Sequence, residues 1–176
     1  WSNSDVMVTV NATDDMSGVQ AYSFDDGSTW QTGNTKEYTS SADITVKVKD
    51  NMNNISIAED LSIKIDKVAP VIKNIVNETT YTEVVNFEIV EDNLDTAILK
   101  KDGVEIEYTT TLGNNGSDDN GTYSLEVTDK AGNKTTVIFT ISIDDKAPDF
   151  TLTKSPSTEW SNSDVMVTVN ATDDMS

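Results

Sequence analysis

Residues 160–176 read WSNSDVMVTVNATDDMS, letter for letter the sequence of residues 1–17. An identity of this length implies tandem repetition with a period of 159 positions, counted from 1 to 160. A long internal period constrains architecture before any local feature does. The 176 residues cover one full period and the opening of the next. Because they open in mid-repeat, the expectation is a cut from a longer array.

The period itself divides in two. Asp66-Lys67-Val68-Ala69-Pro70 and Asp145-Lys146-Ala147-Pro148 mark similar junctions, each followed by a short apolar stretch, Val71-Ile72 and Phe150-Thr151-Leu152. Residues 43–50 align with residues 122–129. The half-periods read as diverged copies of a module of about 80 residues, the scale of a small domain. The expected division is a module lacking its first strand at 1–66 and a complete module at 67–144. Residues 145–176 form the linker and first strands of the next repeat, and 149–154 are the counterpart of the strand that 1–66 lacks.

The strand signals are clean. Val6, Val8 and Val10 alternate with Met7 and Thr9, and Ile44, Val46 and Val48 with Thr45, Lys47 and Lys49. Tyr123, Leu125 and Val127 alternate with Ser124 and Glu126, and Val137, Phe139, Ile141 and Ile143 with Ile138, Thr140 and Ser142. Period-two patterning marks strands with one buried face. Asp26-Gly27 and Asp102-Gly103 are tight-turn signals at equivalent places in the two modules. No segment carries a helical stripe. Six or seven short strands per module predict an all-β chain of tandem β-sandwiches. Modules this small bury little of their surface, so each is expected to be marginal alone. Residues 1–66 are worse placed, with an unpaired sheet edge and an open stretch of core.

The segments DKAPDFTLT, YSFDDGSTW and NGTYSLEVTDKAGNKTTVIFTI resemble the bacterial immunoglobulin-like repeats of large extracellular, adhesin-type cell-surface proteins. The resemblance covers both modules, and its most specific part runs from Gly121-Thr122-Tyr123 to Asp129-Lys130-Ala131-Gly132-Asn133. It implies tandem immunoglobulin-like β-sandwiches on the bacterial cell surface, serving as a spacer or adhesin stalk or as a companion of carbohydrate-active enzymes.

In such a sandwich the second and sixth strands run back toward the end where the module begins, so the loops after them sit beside the incoming linker. For the second module these elements carry Asp66, then Glu91, Asp92 and Asp95, then Asp129 and Asn133. For the next repeat, Asp144 and Asp145 would meet Asp173 and Asp174. The first module's own loops carry Asp14, Asp15, Asp50, Asn51 and Asn53. Converging oxygen ligands suit Ca2+, which takes about 6–8 oxygens at 2.3–2.6 Å. The expected cofactor is therefore calcium at the module junctions. The plainer reading is that Asp and Asn favour turns and solvent, and no loop has the full spacing of an EF-hand.

Composition narrows the chemistry. The chain has 12 basic and 31 acidic residues, a net charge of -19, and no His or Cys; all its basic residues are Lys. The commonest general base, the thiol nucleophile and the bidentate phosphate clamp are missing together, and no catalytic residue is assigned. The charge disfavours nucleic acid and anionic membranes as partners, and no apolar run reaches the roughly 20 residues of a membrane span. Ser23-Phe24-Asp25-Asp26-Gly27-Ser28-Thr29-Trp30 matches the Asp-box pattern, a structural hairpin turn that here reads as a turn with Trp30 packed on the sandwich. Trp1, Trp160, Tyr38, Tyr81 and Tyr108 could offer a sugar-stacking platform, but packing explains scattered aromatics more simply.

Two functions compete. A non-catalytic extracellular stalk or fibre uses neighbouring repeats as partners, with Pro70 and Pro148 stiffening its linkers. A binding module of an adhesin or secreted enzyme would instead take carbohydrate or protein, a host or environmental surface ligand. A further alternative is a fibre subunit, in which residues 146–159 of one copy complete the first module of another by strand donation.

Overall fold

The computed structural model describes residues 1–157 and 159–173. Its elements are strands apart from a short 3-10 helix at Gly116–Asp119. The first module contains β1 (Val6–Thr9), β2 (Val19–Ser23), β3 (Thr35–Tyr38), β4 (Ala42–Asp50) and β5 (Glu59–Ile63). β1 pairs antiparallel with β3, and β2, β4 and β5 form a second sheet in that order. Phe24, Ile44 and Ile63 are buried between them, with Val6, Val8, Val10, Tyr38 and Val46 packed around.

The second module runs β6 (Val71–Lys73), β7 (Thr79–Tyr81), β8 (Val85–Asn86), β9 (Glu88–Val90), β10 (Leu94–Lys101), β11 (Val104–Ile106), β12 (Thr111–Leu112), β13 (Gly121–Asp129) and β14 (Lys134–Ile141). One sheet has the order β11-β10-β13-β14-β7, with β7 parallel to β14. Facing it, β6 pairs with β9 and β8 with β12. The core between the layers includes Phe87, Leu99, Leu112, Tyr123, Leu125, Val127 and Phe139. The inward residues of β13 are the alternating Tyr123, Leu125 and Val127, as period two requires. Asp102 and Gly103 close the β10–β11 hairpin with φ of 51° and 83°. Both values are positive, as a two-residue type I′ turn demands.

Two side chains set the second module's corners. Tyr123 Oη donates to the Asp119 carbonyl at 2.7 Å, a tyrosine corner at the start of β13. Asn120 holds Ile143 from both sides, accepting from its N–H at 2.6 Å and donating to its carbonyl at 2.9 Å. In the first module the Asp-box residues form a turn. Asp25 accepts from the Ser23 hydroxyl at 2.8 Å and from the Thr29 N–H at 2.8 Å. These bonds, led by that from the Thr29 hydroxyl, lower the Asp25 pKa to about 2. Trp30 lies under Lys49 Nζ, 4.8 Å from its ring centre.

Beyond the second module, β15 (Asp149–Ser155) and β16 (Met166–Thr172) form an antiparallel hairpin over seven pairs, from Asp149↔Thr172 to Ser155↔Met166. Both strands are exposed along their whole length. No helix among the described residues is long and apolar enough to cross a membrane.

Candidate metal centre at the module junction

The linker Asp66–Pro70 enters the second module between two loops. Asp129, the last residue of β13, opens a turn in which its Oδ1 accepts from the Ala131 and Asn133 N–H groups at 2.8 and 2.9 Å. Its Oδ2 accepts from Asn133 Nδ2 at 2.7 Å. Burial, with only 1% exposed, pushes this carboxyl up. The Asn133 and backbone bonds outweigh burial, and the pKa is lowered from 3.8. Asn133 Nδ2 also reaches the Asp66 carbonyl at 2.8 Å and the Val68 carbonyl at 3.3 Å.

Around this turn, Asp66 from the linker, Glu91 from the loop after β9 and Asp129 bring carboxylate oxygens within 4.8 Å of one another. Oxygens on opposite sides of a calcium ion are at most about 4.6–5.2 Å apart, twice the usual bond length. The spread therefore fits one coordination shell. Asp66 and Glu91 are half-buried and Asp129 is buried.

The structure thus brings together Asp66, Glu91 and Asp129, with Asn133 fixing the linker behind them. Asp92 and Asp95 are exposed and lie outside this group. Asp144 repeats the local turn of Asp66: its Oδ1 accepts from the Lys146 N–H at 3.2 Å, as Asp66 Oδ1 accepts from the Val68 N–H at 3.0 Å. Asp145, expected to serve the next junction with Asp173, points back into the second module. Its Oδ2 accepts from the Ser117 N–H at 3.1 Å, because the Asn120 clasp on Ile143 holds this stretch against the 3-10 helix. Asp173 is half-buried beside the end of β16, and Asp174 lies outside the described residues.

One further participant is not a carboxylate. Asn93 donates through Nδ2 to Asp66 Oδ2 at 3.0 Å, and its N–H to Glu91 Oε1 at 2.7 Å, so it orients both acids. Its place after Glu91-Asp92 in a loop was the available signal.

The first module carries the same corner. Asp50 Oδ1 accepts from the Asn54 N–H at 2.7 Å and its Oδ2 from Asn54 Nδ2 at 2.6 Å, matching Asp129 and Asn133. Asp14 stands where Glu91 stands, and its Oδ1 accepts from the Ser17 and Gly18 N–H groups at 2.7 and 2.8 Å. Those bonds lower the Asp14 pKa, and the Asn54 side chain chiefly lowers that of Asp50.

The chain is 40% identical over 90 residues to an outer cell wall protein of Brevibacillus brevis, an alignment covering 48% of this chain. It spans only 8% of that relative's length. Among solved structures it is similar to extracellular domains 3–5 of Drosophila OTK, with a TM-score of 0.56 at 14% identity, over 80% of this chain and 56% of that one. No family model matches. The chain is an all-β protein of immunoglobulin-like sandwiches, with sequence similarity to a bacterial cell wall protein.

Proposed function

We propose that this chain is a non-catalytic repeat segment of an extracellular bacterial surface protein, its modules joined end to end in a semi-rigid stalk that calcium stiffens at the junction. The observation that carries this reading is the absence of slack at Asp66. Its N–H donates to the Ser2 carbonyl of the first module at 2.9 Å. Its carbonyl and carboxylate accept from Asn133 and Asn93 of the second. One residue is thus bonded to both modules. Nearby, the Ser41 hydroxyl holds the Ile65 N–H at 2.8 Å, Lys67 pairs with Asp5, and Thr135 Oγ1 donates to the Pro70 carbonyl at 2.5 Å. A cation among Asp66, Glu91 and Asp129 would relieve the repulsion of three carboxylates drawn from three segments. Similarity to a cell wall protein supports the surface location, and a net charge of -19 would keep neighbouring stalks apart.

Small-angle scattering of the chain with calcium and with EDTA tests this. The expected result is one narrow distribution of inter-module distances in calcium, broader in EDTA and broader still in Asn133→Ala. A broad distribution in both solutions would remove the stalk, whereas a narrow one indifferent to EDTA would remove the metal alone.

A further inference from the structure

We infer that the groove on the outer face of β6 and β9 binds a basic polypeptide segment, which lays apolar groups on a floor of three valines and sets lysine or arginine against carboxylates on the rim. The groove holds about 300 Å³ and is lined by Val68, Val71, Val90, Asp66, Glu91 and Asp92 among others. The β6–β9 pairing places Val71 directly opposite Val90. Both face outward, because the alternate residues Ile72 and Ile89 are the ones packed against the core. Val68 is 69%, Val71 50% and Val90 41% exposed.

The valine floor belongs to this module and not to the strand plan that both modules share. In the first module the Val10 N–H bonds to the Asn34 carbonyl as the Phe87 N–H bonds to the Thr110 carbonyl, so Thr13 stands where Val90 stands. Its twin Thr172 lies opposite Asp149, the residue after Pro148, as Val90 lies opposite Val71, the residue after Pro70. One pairing position thus holds Val–Val in one type of module and Asp–Thr in the other. Val68 is the extra residue of the linker Asp66-Lys67-Val68-Ala69-Pro70, with no counterpart in Asp145-Lys146-Ala147-Pro148. Turn preference accounts for Asp and Asn in loops, but it does not account for three valines held in water. Their burial under a partner is favourable.

Charge selects the partner. Among the described residues, Asp66, Glu91 and Asp92 have no lysine in ion-pair reach. The lysines beside the floor are already committed, Lys67 to Asp5 and Lys73 to Glu88. A second copy of the chain, with a net charge of -19, is repelled by such a rim. A lysine or arginine side chain fits both parts of it, its alkyl stem on the valines and its charged head among the carboxylates. Calcium on Asp66, Glu91 and Asp129 would occupy two of the rim's acids, so EDTA keeps the test of this groove separate from that of the stalk.

The probe is a pentapeptide of alternating lysine and valine, capped at both ends and carrying a neutral fluorophore. Its anisotropy is titrated with the whole chain in EDTA at low salt. Saturable binding is expected, weakened about tenfold by Val71→Asp/Val90→Thr, the pair that the other type of module carries. Val68→Ser should weaken it less, and Asp92→Asn by about threefold. Asp118→Asn, which removes an exposed carboxylate remote in sequence from the groove, should leave it unchanged. The double variant is decisive because it adds a negative charge. Unspecific attraction of a cation to an acidic chain would be stronger there, whereas docking on the valines is weaker. Undiminished binding in that variant, or no binding of the peptide to the unmodified chain, would overturn the proposal.

Discussion

The two modules share a strand plan and an Asp–Asn turn, but they do not share a core. In the second, the buried cluster has eleven members; in the first it has three, among the described residues. The pairing register makes the contrast specific. Ile44 faces Leu61 across β4–β5 as Tyr123 faces Phe139 across β13–β14. Yet Phe139 is 1% exposed and Leu61 is 44% exposed. The tyrosines differ likewise. Tyr123 Oη has its bond to Asp119, whereas Tyr38 Oη is buried with no partner among the described residues. The difference teaches that strand pairing alone does not make a sandwich. In the second module Pro70 at the end of the linker and Ile75 just after β6 are buried, and Ile72 of β6 packs against the core.

The largest expected effect lies in the matched core pair. Phe139→Ala should cost the second module about 3–5 kcal/mol, and Leu61→Ala should cost the first about 1 kcal/mol or less. Urea unfolding followed by probes in each module would read both. Equal losses would break the comparison.

The tyrosines sharpen it on a smaller scale. Tyr123→Phe should destabilise by about 1 kcal/mol, the usual net value of one hydrogen bond, whereas Tyr38→Phe should be neutral or stabilising because it removes an unsatisfied hydroxyl. Calorimetric melting of the two variants separates the cases. A loss at Tyr38→Phe equal to that at Tyr123→Phe would mean that Tyr38 finds a partner in solution.

The smallest effect is the acid response of the Asp-box turn. The Asp25 carboxyl is lowered from 3.8 to about 2 on folding, so its stabilisation is present above pH 3.8 and lost as pH falls toward about 2. Melting of the first module should therefore decline across that window, and Asp25→Asn should flatten the decline. An unchanged slope in the variant would assign the acid sensitivity to Asp14 and Asp50 instead.

Much of this was legible in the letters. Alternating Tyr123, Leu125 and Val127 declare a half-buried strand, and Asp102-Gly103 declares a two-residue hairpin, because each signal depends only on neighbours in sequence. The site was legible in part. Asp66, Glu91, Asp129 and Asn133 were all named from the expectation that two loops flank a linker. Asn93 is not legible in a pattern of acids because it orients acids and is not one. Asp145 accepts from the Ser117 N–H, and nothing near it in sequence announces the Asn120 clasp that holds this stretch.

By itself, the sequence determined the repetition, the strand periodicity, the turns and the acidic, His-free and Cys-free chemistry, all of which follow from composition and short-range pattern. Only the tertiary structure decided which carboxylates meet and which apolar faces stay open. Asp66 and Asp129 are joined by the closing of the sheets across 62 intervening positions. Phe139 is buried against Tyr81 and Tyr123, which other strands bring to it. Long-range pairing, not local preference, assigns each side chain its surroundings.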